Sequence, residues 1–157
     1  MKREFRSSDS YETLLEQLKG LLESSYTDVA NMANMASLFY WSIEDINWVG
    51  FYLAENGTLM LGPFHGKPAC VTIEMGKGVC GTAALRRETM LVDDVDEFPG
   101  HIQCDAASRS ELVVPIIKDG ELYGVLDIDS PRESRFTRSE KELFEAAVRI
   151  FLAKIAR

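Results

Sequence analysis

Two stretches restrict the fold of this 157-residue chain more than any other feature. NWVGFYLA (47–54) and TLMLGPF (58–64) flank Glu55-Asn56-Gly57, and ELVVPII (111–117) and ELYGVLDIDS (121–130) flank Lys118-Asp119-Gly120. Asn-Gly and Asp-Gly between runs of aromatic, β-branched and other apolar residues predict tight hairpins, so the chain contains at least two pairs of adjacent antiparallel strands. CVTIEM (70–75) reads as a further strand, broken by Gly76-Lys77-Gly78, and VCGTAALRRE (79–88) as a short helix. TMLVDDV (89–95) reads as a short strand running into a long loop over residues 95–110.

Helical spacing brackets these strands. Residues 9–23 repeat leucines at 14, 15, 18, 21 and 22, with Ser8 or Asp9 as the expected N-cap. Residues 27–42 predict a second helix opening on Thr27, with Met32 and Met35 as core packing. Thr137 caps a closing helix, where Ser139 and Glu142 add a second start signal. The order predicts an α+β fold: one mainly antiparallel sheet of about six strands, with the terminal helices on one face. The small helix and the long loop are left to cover the other face, and a ligand pocket is expected beneath them. The whole chain reads as one domain: helices over about 8–42, sheet, small helix and loop over about 46–130, and a final helix over about 137–156.

Charge narrows the function classes. A net charge of −8 argues against nucleic acid and anionic membrane surfaces as partners. No apolar run approaches the roughly 20 residues that span a bilayer, and the N-terminal MKREFRSSDSYE is polar, so the expected location is the cytoplasm. Three cysteines, an odd number, do not make a secreted disulfide framework; in a reducing compartment they are free, catalytic or metal-binding.

The thiols are at 70, 80 and 104. None is paired at metal-ligand spacing, and even with His65 and His101 a zinc site would collect its ligands one by one, so no metal is expected. Cys70, opening a strand, and Cys80, opening a helix, fit inert buried thiols. Cys104 does not. Its segment carries Gln103, Asp105, Ser108, Arg109 and Ser110, with Gly100 for backbone freedom, which is the setting of a nucleophile. Asp127 and Asp129 alternate onto one strand face, opposite Leu126 and Ile128, and Glu111 opens the neighbouring strand. That face is either solvent-exposed or an acidic pocket, able to hold an ammonium or to keep one acid protonated as a donor to an oxygen. Trp48 and Tyr52 share a face with Gly50 between them, either as ordinary core or as an apolar cage that Gly50 leaves open. His65 and His101 read as polar loop residues.

Taken in order, NWVGFY, LGPFHGKPAC, GKGVCGTA, VDDVDEFPGHIQCD, SELVVPI and GVLDIDS resemble the free methionine-R-sulfoxide reductases, a family built on a single GAF domain. The likeness runs from about residue 45 to 136, and its specific part is the cysteine register, ten and then twenty-four residues apart. The resemblance implies Cys104 as nucleophile, Cys70 as main resolving thiol and Cys80 as an auxiliary one. It implies Trp48 and Tyr52 around the S-methyl group, and Glu111, Asp127 and Asp129 holding the sulfoxide and the ammonium, with Asp93 also lining the site. Within that set, Glu111 and Asp129 are the expected donors to the sulfoxide oxygen. It also implies a homodimer, no bound cofactor, and thioredoxin, fed by NADPH and thioredoxin reductase, as external reductant. Carboxylates near Cys104 should raise its pKa until substrate binds. A non-enzymatic GAF sensor or a thiol redox switch would account for the same fold and pocket; the sensor does not account for three cysteines in this register.

Overall fold

The computed structural model describes residues 10–101, 104 and 107–155. Helix α1 spans Tyr11–Leu21 and opens on Ser10, whose hydroxyl accepts from the Thr13 amide at 3.1 Å. The cap is therefore Ser10, whereas the expected caps Ser8 and Asp9 lie outside the described residues. Helix α2, Asp28–Ser42, opens on Thr27 as predicted, its hydroxyl accepting from the Ala30 amide at 3.1 Å. Met32, Met35 and Phe39 are buried along it.

Helix α4, Arg138–Ile155, opens on Thr137 as predicted. The Thr137 hydroxyl accepts from the Ser139 amide, and Glu140 reaches back to accept from the Thr137 amide at 2.7 Å. This reciprocal pair satisfies donors that a helix start leaves open. Glu142, expected to cap with Ser139, instead pairs with Arg138 on the exposed face. Glu140 stands three residues after Thr137, the spacing of a capping box, and it also accepts from the Tyr11 hydroxyl of α1 at 2.7 Å, a partner 129 residues away.

The strands are β1 (Trp48–Glu55), β2 (Thr58–Gly66), β3 (Thr72–Glu74), β4 (Met90–Val92), β5 (Ser110–Lys118) and β6 (Glu121–Ser130), with helix α3 (Gly78–Arg86) between β3 and β4. They form one sheet in the order β3-β2-β1-β6-β5-β4, antiparallel throughout. Both predicted hairpins are present. Asn56 and Gly57 (φ 50° and 78°) and Asp119 and Gly120 (φ 52° and 79°) adopt the left-handed backbone that such turns require. The two hairpins join side by side through β1 and β6. β3 is shorter than the predicted 70–75, and Cys70 lies before it, in the segment that follows β2. The long loop holds one turn of 3-10 helix, Val95–Glu97, capped by Asp94.

Strand alternation splits the core in two. Val49, Phe51, Leu112, Val114, Leu126 and Ile128 pack against α1, α2 and α4. Trp48, Tyr52, Val113 and Val125 face the other way and pack with Val79, Cys80 and Ala83 of α3 and with Val95 of the loop. Each large side chain buried this way contributes about 2–3 kcal/mol, so both faces are committed. Among the described residues, no helix is long and apolar enough to cross a membrane.

Candidate active site

The sheet register assembles the site. β1 pairs Trp48 with Asp129 and Gly50 with Asp127; β5 pairs Glu111 with Asp129 and Val113 with Asp127. Trp48, Asp129 and Glu111 thus form one row across three strands, and Gly50, Asp127 and Val113 the next, all on the face under α3 and the loop. Of the two readings of the acidic face, the pocket is the one observed: Asp127 is 4% exposed and Glu111 8%. From above, α3 lowers Cys80 onto the acids, its Sγ donating to Glu111 Oε2 over 3.7 Å.

Burial dominates the electrostatics. It pushes Glu111 and Asp127 well above the ordinary carboxylate range, and the neighbouring acid charges push them further. The Cys80 thiol is raised too, first by burial and then by Asp127 and Glu111. Both acids therefore hold their protons to higher pH than free carboxylic acids do, and a protonated member can donate a hydrogen bond to an oxygen. Asp127 Oδ1 is buried without a hydrogen-bond partner. One donor atom each from Cys80, Glu111 and Asp127 falls within 4.8 Å of the others, a set that can also receive a cation.

Cys70 and Cys104 are joined in a disulfide, with Cα atoms 5.4 Å apart, while Cys80 is free and buried. Cys70 is thus no inert thiol, and the acids expected to burden Cys104 press on Cys80 in this oxidised form. A half-open cavity is lined by Trp48, Tyr52, Cys80, Cys104, Glu111, Asp127 and Asp129. Asp93 is exposed beyond β4 and does not line it; its carbonyl accepts from the Ser134 amide at 2.9 Å. Gly50 leaves no opening either. A Cβ there would overlap that of Phe64 and sit 2.7 Å from Trp48 Cη2, so the space is already taken by the Trp48 ring and the base of Phe64.

Other residues at the site had been given no role in it. Lys77, Ser108 and His101 also line the cavity. Lys77 had been read only as part of a strand-breaking Gly-Lys-Gly, although that break delivers the start of α3 to the site. His101 is three residues before Cys104, the one signal that could have marked it; burial lowers its pKa against the opposing charge of Asp96. His65 is not in a loop but on β2, its ring 4.2 Å from that of Tyr40. The base of the long loop is tied by Arg109, whose amide donates to the Ser130 carbonyl at 2.7 Å and whose guanidinium pairs with Glu133. Gln103 and Asp105 lie outside the described residues.

A six-stranded antiparallel sheet with helices on one face and a loop-covered acidic cavity on the other is the architecture of a GAF domain, and residues 12–151 match the GAF domain model. The free methionine-R-sulfoxide reductase of Escherichia coli is 46% identical over 135 residues, spanning 86% of this chain and 82% of the relative. That of Saccharomyces cerevisiae is 44% identical over 158 residues, spanning 93% and 88%. The structure of fRMsr of Staphylococcus aureus in complex with substrate superposes with a TM-score of 0.89 at 49% identity, covering 93% of this chain and 95% of that one. The chain belongs to the free methionine-R-sulfoxide reductases.

Proposed function

We propose that this chain reduces free L-methionine-(R)-S-oxide to methionine, with Cys104 as nucleophile and Cys70 as resolving thiol. The observation that carries this reading is the Cys70–Cys104 disulfide at a cavity whose floor is a cluster of buried acids. A sulfoxide sulfur becomes electrophilic when its oxygen is protonated or strongly hydrogen-bonded. Glu111 and Asp129 supply that donor, and Asp127, with its unpartnered Oδ1, takes the substrate ammonium. The arriving cation favours ionised Asp127, which leaves a proton in the cluster for the sulfoxide oxygen. Trp48 and Tyr52 enclose the S-methyl group.

Cys104 attacks the sulfoxide sulfur and the oxygen passes to Cys104 as a sulfenic acid, while methionine leaves. Cys70 then attacks the sulfenic sulfur and water departs. One sulfoxide and two thiols give methionine, one disulfide and one water, so no cofactor need be bound. Cys80, buried and protonated, is an auxiliary thiol. Thioredoxin, reduced by NADPH through thioredoxin reductase, returns the disulfide to two thiols by exchange. The chain works as one domain, as a homodimer, in the cytoplasm, whose reducing poise suits a disulfide that is turned over.

The test is NADPH oxidation with thioredoxin, thioredoxin reductase and the purified protein. The R epimer of the free amino acid is turned over, and the S epimer and a peptide-bound sulfoxide are not. Absence of turnover with the R epimer, the thiols being reduced at the start, would return the chain to a binding module. A homodimer is checked by light scattering.

A further inference from the structure

We infer that Trp48 and Tyr52 are positioning residues for the resolving thiol: they clamp the segment that carries Cys70 to β1, and so set how fast the disulfide closes once methionine has left. This rests on the assignment of Cys70 as resolving thiol.

Residues 67–70 belong to no strand, yet their backbone is held at two points by side chains from β1. The Trp48 indole N–H donates to the Lys67 carbonyl at 3.0 Å, and the Tyr52 hydroxyl donates to the Cys70 carbonyl at 2.9 Å. The next carbonyl, that of Val71, accepts from the Leu61 amide at 2.8 Å, where the chain rejoins the sheet. The approach is close at the other end also. Gly66 has a positive φ of 143°, and a Cβ there would lie 2.8 Å from the Asn47 carbonyl and overlap the Trp48 ring.

The clamps are themselves fixed. Trp48 is stacked on Phe64 at 5.2 Å and on Tyr52 at 5.9 Å, and both donors are 2% exposed. Burial raises the Tyr52 phenol well above its ordinary range, so it stays a donor at any working pH. A sulfenic acid waiting for its partner depends on the fraction of time that partner is aligned. Removing one clamp loosens the Cys70 backbone without removing either reacting sulfur. A single neutral hydrogen bond corresponds to roughly a three- to tenfold change in rate.

The experiment uses the full chain, reduced, with Tyr52→Phe, which removes one oxygen and keeps the ring, and Trp48→Phe, which keeps an aromatic stack and removes the indole donor. Two rates are read in a single turnover: methionine release, and disulfide formation by mass spectrometry with dimedone trapping of the Cys104 sulfenic acid. Tyr52→Phe lowers the ratio of disulfide formation to methionine release roughly three- to tenfold, with a matching rise in trapped Cys104, and Trp48→Phe moves it in the same direction. An unchanged ratio, including a parallel fall of both rates, overturns the inference. In a second arm, hydrogen peroxide oxidises Cys104 in place of the sulfoxide, each peroxide leaving one water, and closure is timed alone. Failure of the unsubstituted protein to release methionine sinks the proposed function. Equal closure rates in the peroxide arm sink the clamp, whatever the substrate.

Discussion

The Cys80 thiol on α3 donates to the Glu111 carboxylate on β5 across 3.7 Å, joining the small helix to the acidic floor of the cavity. Burial first, and then the acids Asp127 and Glu111 beside it, push the thiol's pKa well up, and a protonated thiol is a poor nucleophile. N-ethylmaleimide therefore leaves Cys80 unlabelled in the native, disulfide-bonded protein near pH 8. Unfolding in guanidinium without reductant yields a single label. Intact-mass spectrometry reads both states, and native labelling at the rate of a free thiol would contradict the burial described.

The two disulfide partners differ in which half of the reaction they serve. Cys104→Ser abolishes methionine release, even in a single turnover. Cys70→Ser retains one turnover and loses the thioredoxin-driven cycle, leaving a trappable sulfenic acid on Cys104. Amino-acid analysis of a stoichiometric reaction separates the two. Methionine release by the Cys104→Ser protein would overturn the assignment of the nucleophile.

Asp127 carries two expectations of opposite character. As ammonium ligand, its loss in Asp127→Asn raises KM by roughly ten- to a hundredfold, the range of a charge-assisted hydrogen bond, with a smaller effect on kcat. As a buried acid, it weakens the fold at neutral pH. Glu111 and Asp127 hold protons in the folded chain that the unfolded chain releases above about pH 4. Their contribution is fully present below that value and is lost as pH rises toward the raised pKa values, by about 1.4 kcal/mol per pH unit for each retained proton. The melting temperature of the substrate-free protein therefore falls as pH rises above about 4, and Asp127→Asn flattens that fall. An unchanged slope in the variant would show that Asp127 is ionised in the fold.

Glu140 behaves in the reverse sense. Burial works against its charge, but the Thr137 amide, the Tyr11 hydroxyl and the Arg135 guanidinium beside it hold its carboxyl below the ordinary range. Such a group stabilises above its unfolded pKa and loses that contribution as pH falls through the folded one. Glu140→Gln costs about 2 kcal/mol at neutral pH, and the difference from the unsubstituted protein closes on acidification. Denaturant melts across the acid range measure it; a difference independent of pH would assign the cost to packing.

Much of this arrangement was legible in the residues. Asn56-Gly57 and Asp119-Gly120 announced the hairpins because few residue pairs tolerate that backbone. The alternation of Leu126, Asp127, Ile128 and Asp129 put both acids on one face, and the cysteine register pointed to the family. Alternation does not say what covers a face, so the depth of Asp127 became visible only with α3 in place. Two points were missed for different reasons. Glu140 stands three residues after Thr137, so the capping box that opens α4 was written in the local pattern beside the Ser139–Glu142 spacing that was read instead. Gly50 looked like room for a ligand because Phe64, whose Cβ and Cα crowd the spot beside the Trp48 ring, comes from the next strand. A neighbour of that kind is not contained in a local pattern.

The sheet ends on both sides in strands of only three residues, Thr72–Glu74 and Met90–Val92. An outer strand that short presents too few free amides and carbonyls to template a strand from another molecule. Each outer strand by itself therefore offers little template for edge-to-edge polymerisation, the hazard that accompanies any open sheet.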